Sequence, residues 1–383
     1  MISIVFVIES LDCGGAEKSL VTLLNNLDYS ICKVDLILIK KGGNFEQFLP
    51  KQVNVVYFDF VSKMSFVSKM KARISFLLQR KFTKEKLHSA QMFWSSFKSS
   101  IQVFSEEYGI AIAYSQGFST YFVAEKLKAS KKITWLNTDY TKAGFRPEYD
   151  LDKYLIFDKI IAVSEQSKCS FIDAMQSVGV SMNLDVIKDI TDDDLIKKRS
   201  FEEIGFIKQD DEITILTVCR LSKEKGLHLA IDACKILVDK GKKIKWYVIG
   251  EGGERSFLEQ LIRTEKLENN FILKGFKSNP YPYIRTCDIY VQTSLFEGLS
   301  LTVIEASILC KPIVTTNFST AHSLLKNNET GLICEMNAES IAQSIIKYID
   351  DEGFKKRIVA NLADKKNTDK EDSLKKFNGL IKI

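Results

Sequence analysis

Histidine, proline and paired cysteines are scarce in this chain of 383 residues, and each scarcity excludes a class of protein. The three histidines, His88, His228 and His322, are too scattered to indicate a metal site. Eight cysteines occur without a C-x-x-C pair, mostly in apolar segments, which favours reduced thiols over disulfides. Five prolines leave no proline-rich linker. The opening apolar run, residues 4–8, is too short for a membrane span or a secretory signal, so it predicts the first buried strand of a cytoplasmic protein.

Two series of short β-branched runs alternate with helical stretches. This alternation predicts an α/β chain with two parallel sheets, each covered by helices on both faces. The length also favours two domains, because one hydrophobic core rarely fills 383 residues. Residues 185–209 between the series are polar, so the boundary is placed there, and Asp192-Asp193-Asp194 is interpreted as a solvated loop and not as a metal site. The predicted strands are 2–8, 34–39, 53–58, 110–114, 133–136 and 160–163, followed by 213–218, 245–249, 271–273, 289–291, 313–315 and 332–333.

Two acids, Glu297 and Glu305, lie eight residues apart across a predicted turn between a strand and a helix. Gly298 permits a tight backbone there, and Ser300 is a candidate N-cap for a helix over 301–309. An anion binds well at such a helix start. A bound phosphate would leave Glu297 near the group it carries and Glu305 about two turns along the helix. The arrangement suits a nucleotide diphosphate sugar.

Two cations flank a second predicted turn, which follows the strand 213–218. Arg220 and Lys225 are five residues apart and precede Gly226 and an amphipathic helix. A planar guanidinium and a compact ammonium at this spacing can converge on the same phosphates. The simpler alternative is that both decorate a solvated loop, as most Arg and Lys do.

Glycines follow two further predicted strands. Gly14 and Gly15 open a helix after the first strand, where a bare backbone would approach a diphosphate closely. Gly250 follows the strand 245–249 at the carboxyl end of its sheet, where open α/β folds bind ligands. Phe276 is a candidate for packing beside a nucleotide base, with a place in the core as its alternative.

Taken together, these segments resemble the retaining glycosyltransferases of the GT-B fold, in particular the large family 4 (glycosyl transferases group 1 type). The likeness is dense from residue 213 to 334 and thin from 44 to 131. It implies two Rossmann-like domains whose parallel sheets face each other across a cleft. Residues 1–190 would be the acceptor-side domain and residues 191–365 the donor-binding domain. Residues 366–383 would form a C-terminal helix that returns toward the first domain.

The resemblance also implies roles for particular residues. Glu305 would bind the ribose hydroxyls and Glu297 the donor-sugar hydroxyls, while Arg220 and Lys225 stabilise the departing diphosphate. The other implied contacts to the donor come from Gly14, Gly15, Gly250, Phe276, Gly298, Leu299, Ser300, Leu301 and Thr302. A competing interpretation makes Glu297 a helix cap and leaves Glu305 exposed.

The chain departs from the family pattern at Asn137, where many relatives carry a histidine that contacts the donor sugar or the reacting atoms. Asparagine hydrogen-bonds a hydroxyl but holds no proton at neutral pH. Asn137 is therefore expected in the catalytic set as a contact and not as a proton carrier. Retaining transfer of this kind is thought to let the leaving phosphate take the proton of the acceptor.

Residues 61–100 carry nine Lys and Arg against one acid, Glu85, with apolar residues interleaved. Such amphipathic segments bind anionic bilayers, so we predict peripheral attachment to the inner face of the cell membrane, with a solvated basic face as the alternative. Nucleic acid is not an expected partner, because the net charge is only +5 and no nucleic-acid motif is visible. The cations in this stretch are Lys63, Lys69, Lys71, Arg73, Arg80, Lys81, Lys84, Lys86 and Lys98.

The resemblance thus implies a metal-independent, retaining hexosyltransferase. It would move a sugar from a nucleotide diphosphate donor, expected to be a UDP-sugar, to a surface polysaccharide or a lipid-linked oligosaccharide such as a capsule or lipopolysaccharide precursor. No cofactor beyond this substrate is expected. Two alternatives stay open: a nucleotide-sugar epimerase of the same fold, and a non-catalytic nucleotide-sugar binding protein.

Overall fold

The computed structural model describes residues 1–12, 14–82, 87–203, 211–364 and 369–382. These residues form two compact units, the first made of residues 1–190 and 371–383 and the second of residues 191–370. The expected boundary between 365 and 366 lies outside the described residues. Each unit has its own parallel sheet, so the predicted α/β class is confirmed.

The sheet of the first unit has seven parallel strands among the described residues, in the order β3-β2-β1-β4-β5-β6-β7. Strand β1 is buried from Ile4 onward because helices cover both faces of the sheet. The strands are β1 (Ile2–Ile8), β2 (Cys32–Leu38), β3 (Asn54–Tyr57), β4 (Glu107–Ala113), β5 (Lys128–Leu136), β6 (Lys159–Ala162) and β7 (Asp185–Val186).

Eight helices of the described chain pack in or onto this first unit. The last of them places Phe377 against the core of the unit, where its ring stacks on Phe6 at 6.2 Å between centroids. The helices are α1 (Gly15–Asn25), α2 (Phe60–Lys63), α3 (Phe66–Phe82), α4 (Ser89–Phe97), α5 (Phe118–Lys126), α6 (Pro147–Tyr154), α7 (Glu165–Gln176) and, at the end of the chain, α16 (Asp369–Ile381).

The sheet of the second unit has six parallel strands among the described residues, in the order β10-β9-β8-β11-β12-β13. Its strands are β8 (Ile213–Val218), β9 (Ile244–Ile249), β10 (Phe271–Leu273), β11 (Ile289–Gln292), β12 (Ile313–Thr316) and β13 (Leu332–Cys334). Its helices are α8 (Asp193–Arg199), α9 (Leu227–Asp239), α10 (Arg255–Thr264), α11 (Tyr281–Thr286), α12 (Leu301–Ile308), α13 (Ala321–Leu324), α14 (Ala338–Asp350) and α15 (Glu352–Ala363).

The polar connector differs from its prediction as a loop, since β7 and α8 lie inside it. Strand β7 pairs with β6, and its short polar sequence hides it from a search for apolar runs. Asp192 caps α8 by accepting a hydrogen bond from the Leu195 backbone N–H at 2.9 Å. Its other carboxylate oxygen accepts from Lys370 Nζ at 2.6 Å. The aspartate run is therefore a helix start, because carboxylates favour that end of a helix.

Candidate functional site

The carboxyl ends of parallel strands share one edge of a sheet, and this edge of the second unit carries most of the predicted donor residues. Arg220 and Lys225 follow β8, and Gly250 follows β9. Glu297 follows β11, the neighbour of β8 on its other side. Ligands of open α/β folds bind at such edges.

Lys225 and Glu297 form an ion pair at this edge. Lys225 Nζ donates to both carboxylate oxygens of Glu297 at 2.8 Å, and the side chains keep 19% and 10% of their exposure. Burial by itself lowers the pKa of Lys225, but the charge and hydrogen bonds of Glu297 outweigh it and raise the pKa above its usual value. Lys225 is therefore charged at neutral pH. An ammonium has three N–H donors, so one remains for a phosphate oxygen after the carboxylate has taken two.

Backbone contacts hold the two loops of this pair together. Leu295 N–H donates to the Glu224 carbonyl at 2.8 Å, and Thr293 Oγ1 donates to the Lys225 carbonyl at 2.9 Å. Gly226 makes this approach possible, because a Cβ at its position would overlap the Thr293 carbonyl oxygen. Its φ of +60° also favours glycine.

A buried polar network supports Glu297 from the sheet side. Glu297 Oε1 accepts from Ser294 Oγ at 2.7 Å and from Gln292 Nε2 at 3.3 Å. Gln292 Oε1 accepts from Tyr290 OH at 3.0 Å and from Thr302 Oγ1 at 3.4 Å, which links the network to the first turn of α12. Satisfied buried networks hold their members in one geometry.

Sequence reasoning missed Gln292 and Ser294. A signal was present in the sequence, because an apolar strand ends in a run of three polar residues, Gln292-Thr293-Ser294. In the structure all three are almost completely buried. Buried polar side chains at the end of a strand need partners, and they find them in the site.

Helix α12 begins at Leu301, with Ser300 at the N-cap position. The Ser300 hydroxyl makes no capping hydrogen bond, so that part of the prediction is wrong. Glu305 is only 1% exposed, and Glu297 is paired with Lys225. Both facts contradict the interpretation of an exposed Glu305 and a helix-capping Glu297.

The other predicted residues of this unit lie around the same edge. Gly250 donates its N–H to the Gly275 carbonyl at 3.0 Å, and a Cβ there would overlap the Cys219 carbonyl. Glycine at this position thus has a packing reason of its own. Phe276 is half-buried next to Gly275, and Arg220 is exposed on the loop that carries Lys225. The solvated-loop interpretation therefore fits the exposure of Arg220 and does not fit Lys225.

The predicted residues of the first unit lie at the carboxyl edge of its own sheet. Gly14 is the N-cap residue of α1, with an extended backbone that any residue adopts, so its predicted role rests on its lack of a side chain alone. Asn137 follows β5, and both polar atoms of its amide are buried without a hydrogen-bond partner among the described residues. Gln116, which follows β4, accepts from the Thr138 N–H at 2.9 Å, and its Nε2 is likewise buried and unpartnered within the described chain.

Neighbouring side chains hold the loop that carries Asn137. Asp139 Oδ1 accepts from Ser170 Oγ at 2.7 Å, and Tyr140 OH donates to the buried carboxylate of Asp150 at 2.6 Å. The loop is therefore held to α7 through Ser170 and to α6 through Asp150. The unpartnered amide atoms of Asn137 and Gln116 do not contribute to holding this loop.

Known proteins are similar to this chain in sequence and in fold. A sequence model of the family "Glycosyl transferases group 1" matches residues 199–365, which include the whole Lys225–Glu297 edge. The match covers less than half of the chain, so it shows that these residues are similar to the family. The fold of the chain is that of the GT-B glycosyltransferases, as the resemblance implied. It superimposes on the crystal structure of Anabaena Alr3699/HepE in complex with UDP-glucose with a TM-score of 0.71, covering 99% of this chain and 100% of that one. The identity there is 18%, so this likeness shows the fold alone.

Two curated relatives share part of the sequence of this chain. The Campylobacter jejuni N-acetylgalactosamine-N,N'-diacetylbacillosaminyl-diphospho-undecaprenol 4-alpha-N-acetylgalactosaminyltransferase is 29% identical over 53% of this chain and 54% of its own length. The Staphylococcus aureus capsular polysaccharide biosynthesis glycosyltransferase CapM is 28% identical over 58% of this chain and 63% of its own. The chain thus spans somewhat more than half the length of these two relatives.

Proposed function

We propose that this chain is a retaining glycosyltransferase that moves a hexose from a UDP-sugar to a polysaccharide or lipid-linked oligosaccharide. The observation that carries the proposal is the Lys225–Glu297 pair at the carboxyl edge of the second sheet, next to the start of α12. A diphosphate leaving group needs cations and N–H donors where its charge grows, and this edge supplies both. The names of the relatives, one acting on a diphospho-undecaprenol glycan and one in capsule synthesis, support the acceptor class.

In the proposed reaction the bond between the anomeric carbon and the diphosphate oxygen breaks, and a bond to an acceptor hydroxyl oxygen forms on the same face. The departing UDP takes the electron pair of the broken bond and the proton of the acceptor. Lys225 and Arg220 stabilise the growing charge with the N–H groups of 298–302, so the proposal needs no metal ion. Glu297 orients the donor sugar through its hydroxyls, Asn137 contributes a hydrogen bond from the first unit, and Glu305 holds the ribose.

The remaining donor contacts follow the same proposal. The backbone at Gly14, Gly15 and Gly250 approaches the diphosphate, and Phe276 packs beside the uracil base. No described helix is long and apolar enough to cross a bilayer. We place the enzyme on the inner face of the cell membrane, where a lipid-linked acceptor would be presented.

Purified protein incubated with UDP-glucose, UDP-galactose, UDP-N-acetylglucosamine and UDP-N-acetylgalactosamine tests the proposal. Thermal shifts should select one donor, since a bound ligand raises apparent stability by mass action. Slow release of UDP and an α-configured sugar product, read by NMR, are the expected results. A donor isomerised without UDP release would support an epimerase instead, and tight binding without any turnover would support a binding protein.

A further inference from the structure

Helix α3 has an unusual distribution of apolar side chains. Six large ones are between 43% and 76% exposed: Phe66, Val67, Met70, Ile74, Leu77 and Leu78. At about 100° of rotation per residue they fall within an arc of about 120° on one side of the helix. Ala72, 4% exposed, lies on the opposite side, which faces α4 and the core. Contiguous apolar surface of this kind marks a binding face.

Cations border this apolar face. Lys71 lies beside one margin of the arc, and Arg73 and Arg80 lie beside the other. Residues 60–82 hold six Lys and Arg and no Asp or Glu. An apolar strip between two basic margins is the pattern of a helix that lies in the plane of an anionic membrane surface. A second copy of this chain fits poorly, because it would bring six further cations against these six.

The sequence analysis predicts one amphipathic segment over residues 61–100, and the structure shows which part of it has an exposed apolar face. The aromatics of α4 are core residues: Trp94 is fully buried, Phe97 is buried, and Phe93 packs against the same cluster. Gln79 ties α3 to α4 through Ser95 Oγ, which donates to its Oε1 at 2.8 Å. Lys84, Glu85 and Lys86 lie outside the described residues. Among the described residues of 61–100, the exposed large apolar side chains therefore belong to α3, except Val61 of α2.

We propose that α3 is the membrane-binding element of this chain, with the side chains from Phe66 to Leu78 inserted among the lipids and the flanking cations on anionic headgroups. The inference rests on the proposed function only for its purpose, which is to bring the first unit to a lipid-linked acceptor. The proposal that α3 presents a membrane-binding face is supported by the exposure of its apolar side chains and by the cations beside them. The occupant of this face is a bilayer rich in anionic lipid.

Flotation of the full chain with vesicles tests this surface. Vesicles of phosphatidylcholine with about one-third phosphatidylglycerol should retain the wild type at least about tenfold better than phosphatidylcholine alone. The Ile74→Ser/Leu77→Ser variant should lose at least about tenfold in binding. Leu155→Ser/Ile156→Ser is the matched control, an exposed apolar pair of the same unit that lies off α3. Equal losses in both double variants, or no wild-type binding to anionic vesicles, would overturn the proposal.

Binding of the cations to anionic headgroups and insertion of the apolar side chains into the bilayer are measured separately. Lys71→Gln/Arg73→Gln should weaken binding several-fold, whereas Lys33→Gln/Lys51→Gln, with the same change in net charge, should not. A Phe66→Trp variant should show a blue-shifted emission on vesicles and quenching by brominated acyl chains. Unshifted, unquenched emission, or a wild-type dimer that the Ile74→Ser/Leu77→Ser change dissociates without vesicle binding, would refute insertion.

Donor hydrolysis in the absence of lipid separates this inference from the proposed function. The α3 variants should hydrolyse the donor at the wild-type rate, because α3 holds none of the proposed donor contacts. A chain that binds anionic vesicles through α3 without turning over any nucleotide sugar would leave this surface standing and refute the transferase. A chain that transfers sugar and ignores vesicles would do the reverse.

Discussion

Two groups of polar side chains, one at the carboxyl edge of each sheet, differ in how far their hydrogen bonds are satisfied. In the second unit, Lys225, Glu297, Ser294 and Gln292 satisfy one another in a connected network. In the first unit, the amides of Asn137 and Gln116 keep buried atoms with no partner among the described residues. A satisfied network is preorganised for a constant ligand such as a diphosphate, whereas an unsatisfied amide keeps its hydrogen-bonding capacity for a ligand.

The largest expected effect is at the network. Lys225→Ala removes the cation and leaves Glu297 buried without its main partner, so turnover should fall about 100-fold or more and stability by about 3 kcal/mol. Steady-state kinetics and urea unfolding measure the two effects. Lys223→Ala, an exposed lysine of the same turn, is the control and should change neither. In Lys225→Ala/Glu297→Gln stability should recover in part while turnover does not; recovery of both would remove Lys225 from the chemistry.

Gly226 tests whether the network depends on the close approach of its two loops. Gly226→Ala combines a φ of +60° with overlap of the Thr293 carbonyl and should cost about 3 kcal/mol. Gly241→Ala is matched, because its φ is +74° but nothing lies within 4 Å of the added methyl. Urea unfolding should show a clearly smaller loss for Gly241→Ala. Equal losses of stability would mean that the positive φ alone accounts for the need for glycine at position 226. The two loops would then be able to move apart without a further cost in stability.

Asp189 extends the comparison to another unsatisfied group of the first unit. Burial raises the pKa of its carboxyl to about 6, and its Oδ1 has no partner among the described residues. The raised pKa means that the favourable, protonated state is fully populated below about pH 4 and is lost as pH rises through about 6. Asp189→Asn should therefore stabilise the protein at pH 8 by about 2–3 kcal/mol and bring no gain at pH 4.

Melting curves across this pH range measure the effect of Asp189→Asn. Asp173→Asn, on an exposed position of α7, is the control. A gain for Asp189→Asn that is the same at pH 4 and pH 8 would show that titration of this carboxyl is not its source.

The smallest effect is expected at the unsatisfied amides. Asn137→Ala should slow transfer about tenfold while leaving the melting temperature unchanged or higher, because removing an unpaired buried polar group costs no hydrogen bond. Gln116→Ala should slow transfer to a similar extent but lose some stability, because it removes the acceptor of the Thr138 N–H. Asp139→Ala, in the same loop, should lose stability since its carboxylate accepts from Ser170. If Asn137→Ala unfolds as easily as Asp139→Ala, the Asn137 amide belongs to the fold and not to a sugar site.

Much of the fold was predictable because parallel strands buried on both faces are runs of β-branched residues. Residues 2–8, 213–218 and 271–273 are strands with the predicted bounds, and the other predicted strands differ at their ends, where hydrogen bonding and not apolarity decides the limit. The predicted strands and helices do not include β7 and α8, because the two-residue strand Asp185–Val186 and an acidic helix start are too short or too polar to form an apolar pattern.

In the candidate site, too, local motifs predict some residues but not the contacts between them. Lys225 and Glu297 were chosen from separate motifs, but their contact joins residues 72 positions apart, and no local pattern contains that pairing. Gln292 belongs to a polar run at the end of an apolar strand, but the run itself does not show which side chains the Gln292 amide meets. The helix-capping role of Ser300 was wrong because the residue type favours a cap, whereas the geometry of the turn decides whether the hydroxyl reaches an N–H.

By itself the sequence determined the α/β class, the two series of strands and the positions of the charged and glycine-containing turns, because these follow from local periodicity and residue chemistry. Only the tertiary structure decided which side chains meet at the sheet edge and which amides remain unsatisfied. It also decided that the apolar residues of α4 face the core while those of α3 face outward. Periodicity shows which residues share a face of a helix, but packing against the rest of the chain decides where that face points.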